Sequence, residues 1–344
     1  MKVLVTGSTG FIGGALCRAL STGGYEVHAF HRPSSMVSLL DGLPVKHILG
    51  DLAQPESLAA AIEGIDLVYH CAALLNPSGQ PGRMYTVTVE GTRNVLAAAQ
   101  RAGVRRVVHT SSIAALGAPV PPRRKQDAPA LIDEHHTWNL PPERWPYGYA
   151  KYLAEMEVQQ ACARGLDCVI VNPGLVIGAG DIYRQTSALV VLSASGKLTA
   201  SIEGGLNVVH IKDVVAGHLA AAERGKTGER YILGGHNLTL YSLIKTAAAI
   251  TGAAAPRVQI PARVAHLAAR PMGWLSPFLP IPIDPAILSL AGYYFYCSNR
   301  KAQMELQLAP PRSVENALED ALEWFRQSGV IASSPNRPAS PPDN

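Results

Sequence analysis

Short apolar runs alternate with amphipathic stretches along the first half of the chain. The strand-like runs are Val3–Thr6, Val27–His31, Val45–Leu49, Leu67–Cys71, Val107–Ser111 and Cys168–Val171. Between them Ile12–Leu20, Glu56–Ile62 and Gly91–Arg101 carry apolar residues at helical spacing. Strands apolar throughout and separated by helices predict a parallel sheet covered on both faces. Right-handed crossovers make that an α/β, doubly wound parallel sheet with ligands at the carboxyl ends of its strands. From Leu116 to Pro146 the periodicity stops and prolines accumulate, which marks a functional or disordered loop. Helical patterns return at Tyr149–Arg164, Lys212–Arg224, Thr239–Thr251 and Val314–Arg326. Residues 1–172 therefore read as the sheet domain, some of whose elements recur within 205–235. Residues 173–330 read mainly as a smaller C-terminal substrate-binding lobe, and 331–344 as a disordered tail.

The first strand runs straight into Gly7-Ser8-Thr9-Gly10-Phe11-Ile12-Gly13 and then into a helix. A pyrophosphate needs small residues in a tight turn, close backbone approach and the free N–H groups of a helix N-terminus. Glycine turns serve many structural roles, but this one lies at the first strand–helix junction of an alternating pattern, the context a dinucleotide site requires. Gly7, Thr9, Gly10, Phe11, Ile12 and Gly13 are thus candidate cofactor contacts on a Rossmann sheet. At the end of the second strand an NAD site places a carboxylate, whereas a 2′-phosphate calls for a cation. This chain has His31-Arg32 there and no acid, so NADP(H) is preferred, with NAD(H) still admissible. Asp51-Leu52 ends the third strand, where an Asp can accept a hydrogen bond from an adenine amino group.

Bulk properties narrow the class. The 344 residues carry 30 basic and 26 acidic side chains, a net +4, too small a charge to point to nucleic acid. Arg123, Arg124 and Lys125 read as a solvated loop. The five cysteines, Cys17, Cys71, Cys162, Cys168 and Cys297, are scattered without a CxxC pair. That predicts no disulfide framework, no thiolate metal site and a reducing cytoplasmic setting. The chain begins directly on a strand, which predicts no signal peptide. No run approaches the roughly 20 apolar residues of a membrane span, so surface contact is the one membrane association left open.

Tyr147 and Lys151 lie four apart at the start of a helix, on one face. A phenol titrates near pH 10, and a neighbouring ammonium is expected to bring it toward a working range for proton transfer. Tyr149 competes, but only Tyr147 keeps the four-residue step to Lys151. Thr110-Ser111-Ser112 puts hydroxyls at the carboxyl end of the fifth strand, on the same edge. With Gly7/Gly10/Gly13, Asp51-Leu52, His70-Cys71-Ala72-Ala73, Val89-Glu90-Gly91-Thr92, Asn172-Pro173-Gly174, Val209-His210-Ile211-Lys212-Asp213 and Trp324-Phe325, the chain resembles an extended short-chain dehydrogenase/reductase over residues 1–328. The resemblance implies an enzyme in which Tyr147 is the general acid/base, Lys151 tunes it and holds the nicotinamide ribose, and Ser112, five residues before Gly117, orients the substrate oxygen. It also implies cofactor contacts at Ala72, Ala73 and Pro173, substrate contacts at Asn172, Leu206 and His210, no metal, and a homodimer as the family habit. Thr88 stands where relatives carry Asn.

Two chemistries compete within that family: epimerases and dehydratases of nucleotide sugars, and reductases or dehydrogenases of ring alcohols and ketones. The sugar enzymes commonly keep a diphosphate-gripping arginine four residues before the motif histidine. Here that position is Leu206, so a diphosphate would lose a strong charge-assisted contact. Trp274, Phe278, Leu279, Ile281, Ile283, Ile287, Leu288, Leu290 and Tyr293 to Tyr296 crowd one segment, as core or as the wall of an apolar pocket. The wording resembles dihydroflavonol-reductase-like, 3β-hydroxysteroid-dehydrogenase-like and hopanoid-associated epimerase-like proteins, implying a sterol- or triterpenoid-like substrate. A non-catalytic NADP-sensing regulator is a third reading, against which Tyr147, Lys151 and Ser112 argue.

Overall fold

The strands form where the apolar runs predict them, and in a computed structural model their burial shows why alternation is missing. The structure describes residues 1–74, 81–122, 127–184, 186–196, 198–275 and 288–331. The basic triplet at 123–125, Phe278, Leu279, Ile281, Ile283, Ile287, the Trp274 side chain and the tail from 332 lie outside the described residues.

In chain order the strands are β1 (Lys2–Thr6), β2 (Glu26–His31), β3 (Val45–Leu49), β4 (Leu67–His70), β5 (Arg106–Thr110), β6 (Cys168–Pro173), β7 (Leu175–Ile177), β8 (Ala200–Ile202), β9 (Gly205–His210), β10 (Arg230–Leu233), β11 (His236–Thr239), β12 (Val258–Ile260) and β13 (Tyr294–Phe295). The described helices are α1 (Phe11–Thr22), α2 (Pro55–Ile62), α3 (Pro81–Tyr85), α4 (Gly91–Arg101), α5 (Pro146–Ala163), α6 (Ala188–Ala194), α7 (Ile211–Arg224), α8 (Leu240–Thr251), α9 (Ala262–Leu275), α10 (Arg300–Glu305) and α11 (Val314–Gln327).

The main sheet is seven-stranded in the order β10-β6-β5-β4-β1-β2-β3, and every pairing in it is parallel. Val3 and Val5 point into a core shared with α1 and α7, through Leu16, Leu20, Val214 and Ala221. Leu4, Val68, Val107 and Ile170 point the other way, against Leu58 of α2, Val95 of α4 and Val158 of α5. A strand wedged between two such layers has no solvent face to encode. β3 departs from this: it is the sheet's edge, and Lys46, His47 and Leu49 are exposed.

The sheet takes its last strand from far along the chain, for β10 pairs with β6 in the register Arg230↔Ile170 to Leu233↔Pro173. The chain between β6 and β10 and the chain after β10 together build the remaining layers: β9 pairs with β7, β11 and β13, and β8 with β12. Ile177, Val208, Leu243, Leu318 and Phe325 make a core under that smaller sheet. Strand order reverses between β1 and β4, so the connections leaving these two strands run to opposite faces of the sheet, which is where a doubly wound sheet has its ligand crevice.

Candidate active site

The glycine turn sits at that reversal. Gly7 adopts φ +67°, a left-handed conformation that costs glycine nothing. A Cβ on Gly7 would stand 2.7 Å from the Ala72 nitrogen, so the turn is pressed against the chain leaving β4. A Cβ on Gly13 would stand 2.1 Å from the Gly7 carbonyl oxygen, so α1 can seat on the turn only through a glycine. Gly10 N–H donates to Gly7 O at 2.9 Å, and Gly10 caps α1 with no side-chain bond, leaving the first-turn N–H groups without a side-chain partner. Ser8 Oγ donates to Phe30 O at 3.1 Å, tying the turn to the end of β2. Thr9 is buried, and Phe11 and Ile12 are half-buried at the helix start. The arrangement fits a pyrophosphate: small residues, close backbone and a helix N-terminus of twelve residues.

His31 and Arg32 end β2 differently. His31 is buried, its Nδ1 3.0 Å from Arg32 O and its Nε2 2.9 Å from His47 Nδ1. The Arg32 side chain is exposed, beyond the carboxyl end of the strand. Asp51 uses Oδ1 to accept from Ala53 N at 3.0 Å, while Leu52 is buried with its carbonyl accepting from Asn94 Nδ2. Ala72, against Gly7, and Ala73 are half-buried, and Pro173 is buried where β6 ends beside β10.

A hydrogen-bond chain that motif reading did not foresee holds this wall. Thr92 Oγ1 donates to Thr88 O at 2.6 Å, so His70 Nε2 must donate to Thr92 Oγ1 at 2.9 Å. His70 Nδ1 then accepts from Thr6 Oγ1 at 2.7 Å, and Thr6 Oγ1 receives the Ala72 N–H at 3.4 Å. Burial holds the His70 imidazole down at about 3, hence neutral, as that chain requires. Thr88, in the π-helical segment Thr86–Glu90, accepts from Leu74 N at 3.3 Å and so does bond despite replacing Asn.

Across the crevice α5 begins at Pro146. Ser112 Oγ accepts from Ala114 N at 3.2 Å, and the Ser112 side chain lies near enough to Tyr147 to hold its phenol below where burial alone would put it. Ser111, the other candidate hydroxyl, is buried with no hydrogen-bond partner for its Oγ. Tyr149 turns into a ring cluster with Tyr85, Trp138 and Tyr152. Gly148 lets the helix in, because a Cβ there would meet Trp138 at 2.7 Å and Ala114 O at 2.8 Å. Lys151 is buried, and its Nζ donates to Thr110 O at 2.8 Å.

The electrostatics correct one expectation. Tyr147 is not brought down by Lys151: desolvation pushes the phenol up to about 12, and the Ser112 hydrogen bond only moderates the rise. Tyr147 as a whole is half-buried. Burial also pulls Lys151 down to about 8, opposed by Cys71 and Glu155.

Two predicted substrate residues stand elsewhere. His210 is 2 % exposed and caps α7: Nδ1 accepts from Lys212 N at 3.0 Å, and Nε2 lies 3.2 Å from Asp320 Oδ2 of α11. It fastens the last helix instead of facing the crevice, because the residue before a helix has its ring turned back onto the first free N–H groups. Asn172 is wholly buried behind Ser112, donating to Ser112 O at 3.0 Å and to Glu155 Oε1 at 2.7 Å. Leu206 packs with Ile113, Leu116, Trp145, Tyr293 and Phe295, an apolar cluster flanking Ser112 and Tyr147. Phe295 and Trp145 lie 5.0 Å apart by ring centres, and Arg144 sits over the Tyr293 ring at 5.2 Å.

A nucleotide cradle at the strand reversal and a tyrosine–serine pair on one sheet edge define a dinucleotide-dependent enzyme of the short-chain dehydrogenase/reductase type. The chain belongs to the NAD dependent epimerase/dehydratase family, whose model matches residues 3–234. It is similar to a Synechocystis protein named for dihydroflavonol 4-reductase, 37 % identical over 95 % of each chain. It is also similar to the sterol demethylase protein B of Methylococcus capsulatus, 35 % identical over 96 % of this chain and 100 % of that one. Among solved structures, that of gox2253 matches with a TM-score of 0.82 and 36 % identity over 96 % of this chain and 99 % of the other. No helix among the described residues is long and apolar enough to cross a membrane.

Proposed function

We propose that the protein is an NADP(H)-dependent oxidoreductase that interconverts a ring alcohol and a ketone on an apolar, sterol- or triterpenoid-like substrate. The observation that carries this reading is the pairing of Ser112 with Tyr147 beside the apolar cluster of Ile113, Leu206, Trp145 and Phe295. A ring system buried there gains about 25 cal/mol per Å² of apolar area, whereas a diphosphate would meet a leucine where it needs a cation. The relatives named for dihydroflavonol reduction and sterol demethylation support the same class.

Ser112 holds the substrate oxygen, and Tyr147 gives its proton to a ketone oxygen or takes one from an alcohol. The phenol raised to about 12 is the proton-donating form at neutral pH. Lys151, anchored on Thr110 O, supports the pair and holds the nicotinamide ribose. The turn Gly7–Gly13 holds the pyrophosphate, Asp51 the adenine, and Arg32, exposed past β2, the 2′-phosphate that selects NADP(H). The nicotinamide, when bound, supplies or receives the hydride. Val264 and Leu267, 53 % and 79 % exposed on α9 next to exposed Arg263, suit contact with an anionic lipid surface from which such a substrate would come.

The test is thermal stabilisation with saturating NADP⁺, comparing 3β-hydroxysterols with UDP-glucose and dTDP-glucose. Stabilisation by the sterol alone is expected. Stabilisation by the sugar nucleotides alone replaces this reading with a nucleotide-sugar epimerase, and neither binding nor turnover of any alcohol leaves a cofactor-sensing protein.

A further inference from the structure

Behind the Ser112–Tyr147 pair lies a buried polar chain that the reaction does not itself use. Glu155, one turn beyond Lys151 on α5, is wholly buried in the structure. Its Oε1 accepts from Asn172 Nδ2 at 2.7 Å, and its Oε2 lies 2.7 Å from Arg230 Nε on β10. Asn172 Nδ2 has two hydrogens: one goes to Glu155 and the other to Ser112 O at 3.0 Å. Arg230 is anchored in turn, its Nη1 donating to His136 O at 3.1 Å. The chain Arg230–Glu155–Asn172–Ser112 therefore crosses three strands of the sheet edge and α5, and it ends on the backbone that carries the Ser112 hydroxyl.

A buried ion pair is a poor source of stability, since desolving both charges costs about what their attraction returns. Apolar residues of similar size would hold β10 to α5 as well. What apolar residues cannot do is accept the Asn172 amide. That amide is planar, and with one N–H committed to a fixed carboxylate its other N–H points at one place, the Ser112 carbonyl. The carboxylate thus sets the direction of the amide, and the amide sets Ser112.

We propose that Glu155 is a positioning residue: held by Arg230, it orients Asn172, which fixes the Ser112 backbone so that the Ser112 hydroxyl meets Tyr147. This rests on the reading of Ser112 and Tyr147 given above. It touches neither substrate nor cofactor and acts only through Asn172.

The experiment uses the full chain and four measurements: melting temperature, NADP⁺ affinity, kcat and KM for cholesterol oxidation followed by reduced-nicotinamide absorbance, and a crystal structure at Ser112. The double variant Glu155→Leu/Arg230→Met replaces the ion pair with apolar residues of similar size. It is expected to melt within a few degrees of the parent and keep its NADP⁺ affinity. Its kcat should fall about tenfold to a hundredfold with KM little changed, as misplaced catalytic groups do. Its crystal structure should show Ser112 Oγ out of hydrogen-bond reach of Tyr147. Glu155→Gln keeps an acceptor for Asn172 and should hold kcat within about threefold of the parent, although leaving Arg230 unpaired lowers its melting temperature. Should the double variant not fold, Asn172→Ala, which leaves the Glu155–Arg230 pair intact, is expected to show the same kcat loss and the same displacement. Parent-like kcat with Ser112 in place, in either variant, overturns the proposal. If the parent itself oxidises no sterol, the substrate reading above fails, while the crystal structures still decide the role of Glu155.

Discussion

The glycine turn and the Ser112–Tyr147 pair lie on the same edge of the same sheet, yet they are assembled in opposite ways. The turn comes from consecutive residues, Gly7 to Gly13, and presents backbone N–H groups. The pair is gathered from β5, α5, β6 and β10 and presents side chains whose positions depend on buried polar contacts. A site made of backbone tolerates no added atoms, because its geometry is its contacts. A site made of side chains tolerates atoms but not lost partners. Substitutions at the two should fail differently, the first in folding and cofactor binding, the second in turnover.

The largest expected effect is at the turn. Gly13→Val places a branched side chain where even a Cβ stands 2.1 Å from the Gly7 carbonyl. We expect a loss of about 3 kcal/mol, the upper end of overpacking, seen as a lower melting temperature together with weakened NADP⁺ binding. A parent-like melt would show that α1 can shift without cost and that the two regions do not differ as described.

Next comes the pair. Tyr147→Phe should keep cofactor affinity and melting temperature while turnover falls about a hundredfold or more, as loss of a general acid does. Near-parent turnover with the true substrate would remove Tyr147 from the chemistry. On the far side of the turn from the pair, past β2, stands Arg32. Arg32→Ala should weaken NADP(H) by about 1 to 3 kcal/mol, a charged hydrogen bond lost, and leave NAD(H) affinity alone. Equal affinity of the parent for both cofactors, measured by titration calorimetry, would break the assignment.

The smallest effect is a pH dependence. Burial holds Lys151 at about 8, against an ordinary value of 10.5. Between those values the unfolded chain binds the proton that the folded chain has released, so folding stability from this group rises with pH across the window. Below about 8 both states are protonated and the full cost of burying the ammonium is present; above about 10.5 both are neutral and the cost is gone. Lys151→Met should therefore gain most over the parent at neutral pH, less the lost bond to Thr110 O, and that gain should close as pH rises through the window. Thermal melts at several pH values read it, and a difference that widens toward alkaline pH would contradict the assigned shift.

Much of the fold was legible in advance. The strand runs fall within a residue or two of the observed strands, and the helix over Gly91–Arg101 matches its bounds. The Gly7–Gly13 turn and the Tyr147-to-Lys151 step also stand where the spacing puts them. His210 and Asn172 were placed by motif position and landed in the interior instead, one as a helix cap bonded to Asp320, the other as a brace under Ser112. The Thr6–His70–Thr92–Thr88 chain left no signal beyond polar residues inside apolar runs, which reads equally as chance. The fall of Lys151 and the rise of Tyr147 also needed burial, which no spacing states.

What the amino-acid order determines by itself is whatever acts within one turn of chain: the left-handed φ that glycine adopts without cost at position 7, the four-residue step on α5, the apolar period that tells buried strand from helix. These depend on covalent neighbours and so travel with the sequence. What only the tertiary structure decided is which distant groups share the low-dielectric interior. β10 joins the sheet beside β6, and this alone carries Arg230 to Glu155 across 75 residues of chain and so places an ion pair behind Ser112. A charge can be buried only where its partner is, and strand order, not local sequence, brings the partner there.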